Sequence, residues 1–395
     1  MQTKAKAKLA VIGIGNMGSN HSRDILKLEN TELAAICDID KERADRYGEE
    51  FGVPVYYDYH DLFHNDQLDG VVVATPHYDH TPISIDFLSH GTHVLTEKPI
   101  AVHVKDAHKM IEAYLKAREK YPELLFAAMF QQRTLGYWRK IKDMIDRGEL
   151  GRLMRATWII TDWFRTQFYY DSGGWRATWR GEGGGVLLNQ CPHNLDLFQW
   201  FVGVPDRVSG FATIGKYHHI EVEDEVTGFF EYENGMVGHF ITTTAESPGT
   251  NRLEIVGENG VLICEREKIL FDRNQASAME FIRDSDNAWN KVPHFMEEVS
   301  FESSDESGHA NVIHNFANAI LNSESSESLI APAVEGVRSL MLGNAIMLSS
   351  FLGRPVSVPI DEDEYETRLM ELVRTSKFQK ETGTNKILDI GDSFH

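Results

Sequence analysis

Through its first third the chain alternates short, almost unbroken apolar runs with stretches whose apolar residues recur every three or four positions. "KLAVIGI" (8–14), "ELAAICD" (32–38), "GVVVAT" (70–75), "HVLTE" (93–97) and "LLFAAMF" (124–130) read as buried strands. Helix-like segments lie between them near 17–28, 41–50, 79–89 and 103–120. Strands and helices in strict alternation imply right-handed crossovers and a doubly wound parallel sheet.

After about residue 150 the pattern changes to long strands in succession, in "RLMRATWIITDWF", "RVSGFATIG", "EVTGFFEYENGMVGHFITTTAE" and "RLEIVGENGVLICE". The pairs Asn234-Gly235 and Asn259-Gly260 are strong hairpin signals, because tight two-residue turns need positive φ. These segments predict a large, mostly antiparallel open sheet, with helices at 192–202, 308–322 and 333–352. The fold class is therefore α/β, with an N-terminal parallel domain (1–130), a C-terminal α+β domain (131–379) and a tail (380–395). A chain of 395 residues is long enough for two domains, since single cores rarely exceed about 250–300 residues. The acidic, serine-rich stretches 302–307 and 323–328 and most of the tail beyond 379 read as surface segments.

Composition narrows the partners. The 39 basic against 60 acidic residues leave a formal charge of −21, which repels phosphate backbones and anionic membrane surfaces. No apolar stretch approaches the roughly 20 residues of a membrane helix. The opening "MQTKAKAKLAVIGIG" mimics a signal peptide, but its apolar run is short and passes straight into a glycine turn. Cys37, Cys191 and Cys264 form neither a disulfide framework nor a zinc spacing, so a reducing, cytoplasmic setting is expected.

"VIGIGNMGSNH" sets Gly13, Gly15 and Gly18 in G-x-G-x-x-G spacing around Asn16 and Met17. The glycines allow a tight strand-to-helix turn, close approach of backbone to a pyrophosphate, and close helix–strand packing. A lone match also occurs in structural turns; here it follows a strand, opens a helix and precedes Asp38 at the end of the next strand. A carboxylate there accepts from both ribose hydroxyls and repels a 2′-phosphate. Ile39 follows with no adjacent arginine, so NAD is favoured over NADP.

With "VVVATPHYDH" (71–80) and "TEKPIAV" (96–102), the fingerprint segment resembles the glucose–fructose oxidoreductase / inositol dehydrogenase (Gfo/Idh/MocA) family, over most of the chain from Leu9 to about Pro359. Glu97-Lys98-Pro99 after the fingerprint is the most specific element. The resemblance implies a Rossmann domain, a C-terminal domain built on a large open sheet, and homodimers or homotetramers formed through that sheet. It implies cofactor contacts from Thr75, Pro76, His80, Glu97, Lys98 and Gln131, a lysine (Lys98) near both nicotinamide and substrate, and a catalytic histidine (His193). Asn189 departs from the pattern: many members carry aspartate four residues before the histidine, whereas some sugar 3-dehydrogenases have asparagine there.

The chemistry of these residue types agrees. Oxidising a secondary alcohol removes hydride from carbon and a proton from oxygen, so a base must reach the hydroxyl. His193, with an ordinary pKa of about 6.5, suits that task. Lys98 can stabilise an alkoxide or, with a lowered pKa, act as the base itself. An isolated histidine is more often a cap or core residue, and a lone lysine a surface one; it is the surrounding motifs that weigh against those readings. Asp196, one turn past His193, is expected either to orient its ring or to satisfy the helix. In "GEGGGVLLNQCPHNLDLFQWF" (181–201) the glycines allow close packing, and the apolar end anchors a helix that starts at Pro192 or kinks there.

Between 158 and 180 lie Trp158, Trp163, Phe164, Arg165, Tyr169, Tyr170, Trp175, Arg176, Trp179 and Arg180, too aromatic a stretch for disorder. Aromatic faces against sugar C–H surfaces, with arginines donating to hydroxyls or carboxylates, would make a carbohydrate site; core or interface packing is the alternative. Trp163, Tyr169, Trp175 and Arg176 are the substrate candidates there, with Arg133, Asn189 and His193. Gln131, Gln132 and Arg133 fall where cofactor meets substrate. "HYDH" (77–80) and "HHIEVEDE" (218–225) lack ligand spacing, so no metal is expected. Three functions compete: NAD-dependent dehydrogenation of a sugar, glycoside or cyclitol, at C3 by analogy; a glycosidase using NAD transiently; and a non-catalytic sugar sensor.

Overall fold

The computed structural model describes residues 6–64, 68–302 and 308–377. Stretch 303–307 and the tail from 378 lie outside the described residues. Six parallel strands form the first sheet: β1 (Ala7–Ile12), β2 (Thr31–Cys37), β3 (Val55–Tyr56), β4 (Gly70–Val73), β5 (His93–Thr96) and β6 (Phe126–Ala128), in the order β3-β2-β1-β4-β5-β6. Its crossovers run through α1 (Asn16–Lys27), α2 (Lys41–Phe51), α3 (His77–Ser89) and α4 (Val104–Arg118). Every residue of the β4 run "GVVV" is buried, as a strand covered on both faces requires. Asp40 caps α2 by accepting from Arg43 N, and Gly52 ends it in the left-handed region.

The second half begins with α5 (Gly136–Asp146) and nine strands: β7 (Leu153–Ile160), β8 (Arg207–Ile214), β9 (Glu223–Glu231), β10 (Val237–Thr243), β11 (Asn251–Gly257), β12 (Gly260–Glu265), β13 (Lys268–Asn274), β14 (His294–Val299) and β15 (Val356–Ser357). Their order is β14-β13-β12-β11-β7-β10-β9-β8-β15, antiparallel except where β7 lies parallel to β10. Both Asn-Gly pairs turn hairpins, joining β9 to β10 and β11 to β12. The remaining helices are α6 (Gln167–Asp171), α7 (Pro192–Val202), α8 (Ala278–Asp284), α9 (Gly308–Leu321), α10 (Ala333–Leu352) and α11 (Glu362–Thr375).

Two packing features position the site. Helix α7 lies on the inner face of the second sheet, where Phe198 meets Phe230 and Phe240 edge-on at centroid distances of 5.2 and 6.1 Å. The chain then returns to the first sheet. Val312, Ile313 and Phe316 of α9 join the core of β1 and α1, and Ala331 O accepts from Ala128 N at the sheet's edge. Among the described residues no helix is long and apolar enough to cross a membrane.

Candidate active site

The fingerprint glycines sit as their chemistry requires. Gly13 has φ +86°, and a Cβ on Gly18 would lie 1.8 Å from Gly13 O, so helix and strand touch through backbone. A Cβ on Gly15 would meet nothing within 4 Å: it faces open space at the start of α1, where no side chain caps the helix and Asn16 and Met17 are its first residues. An open, uncapped helix start of this kind has the shape and the free N–H groups that a pyrophosphate needs. Gly15→Ala is expected to leave the melting temperature unchanged while weakening NAD binding at least about tenfold; Gly18→Ala is expected to lower the melting temperature itself. Thermal melts and calorimetric titration with NAD separate the two.

Asp38 is buried at the end of β2, and its oxygens accept from Ile14 N (2.7 Å) and Asp40 N (2.8 Å). Arg43 also grips it, Nε at 3.1 Å and Nη2 at 2.9 Å. No arginine is adjacent to Asp38 in sequence, but the first turn of α2 brings one back from five residues on. If Asp38 is the ribose ligand, the hydroxyls would share it with Arg43, whose guanidinium would then stand beside the 2′ position. Arg43→Ala is expected to lower affinity for NADP relative to NAD, checked by titrating both cofactors.

The other cofactor candidates divide into two groups. Among the described residues Thr75 Oγ1 and Gln131 Oε1 are buried without a hydrogen-bond partner, so each could still bond to a cofactor. Pro76 caps α3. His80 and Glu97 instead brace the loops. His80 has Nε2 against Thr75 O and Nδ1 against Pro99 O, both at 2.8 Å. Glu97 takes His21 Nε2 at 2.6 Å and Lys98 N at 2.9 Å. Burial raises the Glu97 pKa, but the hydrogen bond and charge of His21 outweigh it and hold the carboxyl at about 2. Glu97 is thus a fixed anion behind Lys98.

At the reacting end the structure gathers Lys98, Asn189 and His193. Lys98, half-buried, donates Nζ to Asn189 O at 2.9 Å. Burial lowers its pKa; Glu97 and Glu182 oppose that, while Arg176 and Arg165 add to it. His193 stands in the first turn of α7, which begins at Pro192 without a kink. It is buried, edge-on to Phe130 at 6.0 Å, and its Nδ1 has no hydrogen-bond partner among the described residues. Burial and the Lys98 charge hold its pKa well below the ordinary histidine value, so the imidazole is neutral at pH 7.

Glu182 went unnoticed in the sequence, where it is one carboxylate among glycines. It is buried, accepts from Ala177 N at 2.5 Å, and receives the side-chain amide of Asn189. The glycines around it pack against another buried acid. Gly185 N donates to both oxygens of Glu223 at 2.9 Å, and a Cβ on Gly185 would lie 2.0 Å from Glu223 O. Burial pushes the Glu223 carboxyl up to about 7.

The aromatic stretch divides by burial. Trp158, Tyr170 and Trp179 are core residues. Trp163, Tyr169 and Trp175 are half-buried around two arginines. The Arg176 guanidinium lies 4.4 Å from the Tyr169 ring centre and 4.9 Å from that of Trp175, and Nη1 donates to Tyr169 Oη at 2.5 Å. Arg165 lies 5.1 Å from Tyr169 and 5.4 Å from Trp163. Trp163 Nε1 reaches Asn194 beside His193 at 3.4 Å, and Trp175 meets His77 edge-on at 5.5 Å.

Arg133 needs correcting. Its buried guanidinium pairs bidentately with Asp196 at 2.7 Å and with Glu335 at 2.5 Å, which commits it to joining α7 and α10 and removes it from any substrate. For the same reason Asp196 does not orient His193. The histidines of 77–80 and 218–225 are likewise engaged with protein groups: His77 Nδ1 with Glu182 O, and His218 with Asp224 and Arg165 O.

A glycine-cradled parallel sheet, with a lysine at a strand end and a buried neutral histidine facing it, defines a Rossmann-fold oxidoreductase. The chain belongs to the GFO/IDH/MocA family: the model of its NAD-binding Rossmann fold matches residues 7–121, and that of its C-terminal domain matches residues 138–263. It is 27% identical over 259 residues to an inositol 2-dehydrogenase of Rubrobacter xylanophilus, a match spanning 64% of this chain and 70% of that one. An alpha-N-acetylgalactosaminidase of Shewanella oneidensis is 26% identical over 196 residues, 46% of this chain and 41% of that protein. The WlbA dehydrogenase of Bordetella pertussis, solved with NADH and UDP-GlcNAcA, superposes with a TM-score of 0.74 at 25% identity, covering 90% of this chain and all of the other.

Proposed function

We propose that this enzyme oxidises a secondary hydroxyl of a sugar, glycoside or cyclitol, at C3 by analogy, with NAD rather than NADP as the preferred cofactor. NAD, when bound, supplies the acceptor for the hydride that leaves the carbinol carbon. His193 takes the hydroxyl proton, since its imidazole is neutral and buried and its Nδ1 has no partner among the described residues. Lys98 spends one N–H on Asn189 O and keeps two for the substrate oxygen, whose developing charge it stabilises. Trp163, Tyr169 and Trp175 offer faces to sugar C–H surfaces, and Arg176 offers donors to hydroxyls or a carboxylate.

The observation that carries this reading is the meeting of His193 and Lys98 at the strand ends of the NAD-binding sheet. A non-catalytic sensor would need neither group. Similarity to a glycosidase supports a second reading, in which C3 oxidation is transient and the C1 substituent is eliminated. Turnover of a panel of sugars, cyclitols and aryl glycosides with NAD separates the two. Stoichiometric NADH and a ketone are expected; release of the aglycone without net NADH would establish the glycosidase instead.

A further inference from the structure

The glycine turn before α7 carries a buried charge that the proposed reaction does not yet use. Glu182 sits between two groups of the site. One carboxylate oxygen receives the amide of Asn189, the residue whose carbonyl holds the Lys98 ammonium. The other accepts from Ala177 N at 2.5 Å, next to Arg176. Both contacts are with donors, so they favour the ionised form. Because an ionised carboxylate only accepts, it also fixes the Asn189 amide with Nδ2 inward and leaves Oδ1 as the acceptor on the other corner.

The charged and titratable groups that face Lys98 come from several elements. Glu97 precedes it at the end of β5, Glu182 lies in the glycine turn, and Arg165 and Arg176 lie in the aromatic stretch. Among the described residues His77, His193, His309 and Cys191 complete the set. Burial keeps the three histidines neutral at pH 7 and the Cys191 thiol protonated, its pKa pushed up to about 12. Two anions therefore face two guanidiniums across a half-buried ammonium. Glu97 is already committed to His21 at 2.6 Å, which leaves Glu182 as the carboxylate whose removal tips that balance.

We infer that Glu182 is a positioning residue that keeps Lys98 an ammonium and locks the Asn189 amide in one orientation. The inference rests on the proposed role of Lys98 as the cation at the substrate oxygen. Its consequence has a definite sign. Without the carboxylate, the two arginines and burial act on Lys98 against Glu97 alone, so the amine loses its proton at lower pH.

The first measurement needs no substrate. Competitive acetylation of Lys98 across a pH series, read by peptide mass spectrometry, reports its ionisation in the full-length protein. In Glu182→Gln, which preserves side-chain shape, the transition is expected about one to three pH units below that of the unsubstituted protein. Glu182→Asp keeps the charge one methylene farther away and should move it less, in the same direction. The alkaline limb of kcat/KM should follow the labelling transition in each variant. A labelling transition at the original position in both variants overturns the inference and leaves Glu182 a brace for Ala177. A labelling shift with an unmoved alkaline limb upholds Glu182 and instead removes Lys98 from the role proposed for it.

Discussion

His193→Ala is expected to lower kcat/KM by about 10²–10⁴-fold, the range for a positioned proton-transfer group, while leaving NAD affinity nearly unchanged. The imidazole is buried against Phe130, and in the role proposed for it acts on the substrate hydroxyl, so its loss is expected to remove proton transfer more than cofactor binding. The pH profile adds a second check. His193 accepts a proton only when neutral, which holds above its pKa, and burial with the Lys98 charge places that pKa well below 6.5. Activity should therefore be flat from mildly acidic pH through neutrality and fall only in stronger acid. The variant's residual activity should lose that acidic limb. Steady-state kinetics across pH with calorimetric NAD titration measure both.

Arg133→Ala is expected to destabilise the fold by about 3–5 kcal/mol, because it strands buried Asp196 opposite no cation and leaves Glu335 unpaired. Burial raises the Asp196 pKa and Arg133 works against that, so the loss should be greatest at neutral pH and shrink as acid protonates the stranded carboxyl. Urea unfolding at neutral and acidic pH measures it. Had Arg133 been a substrate contact, the variant would keep its stability and show a raised KM. Since the triad ties α7 to α10, folded variants should also lose turnover through a misplaced His193.

The sequence made legible whatever depends on local pattern. The β1–α1 glycine turn, the buried runs of the first sheet, both Asn-Gly hairpins and the Pro192 start of α7 each follow from a few neighbouring residues. The short strands β3 and β15 were not legible, since two-residue pairings carry no period. Helix α11, strongly acidic at its start, hides its buried Tyr365 and Leu369 among charges. The site divided along the same line. Lys98, His193 and Asp38 sit in motifs, whereas the contacts of Arg133, Arg43 and Glu182 arise only from three-dimensional pairing. Arg133 found Asp196 across 63 residues, and Arg43 reached Asp38 only because α2 turns back. Glu182 gains its meaning from Lys98, 84 positions earlier by their numbers. In sequence, one signal pointed toward Glu182: an acid inside a glycine run that precedes the histidine helix, where small residues otherwise bring backbones into contact.

In the proposed reaction hydride leaves a carbinol carbon of a sugar or cyclitol while His193 takes the hydroxyl proton. Its most direct test uses a substrate found in the NAD panel, deuterated at the carbon to be oxidised. The account predicts one deuterium in each NADH formed, a ketone at the labelled carbon, and loss of both products in His193→Ala. Conversion of the sugar with the label retained in the product, or unimpaired label transfer by His193→Ala, would contradict it.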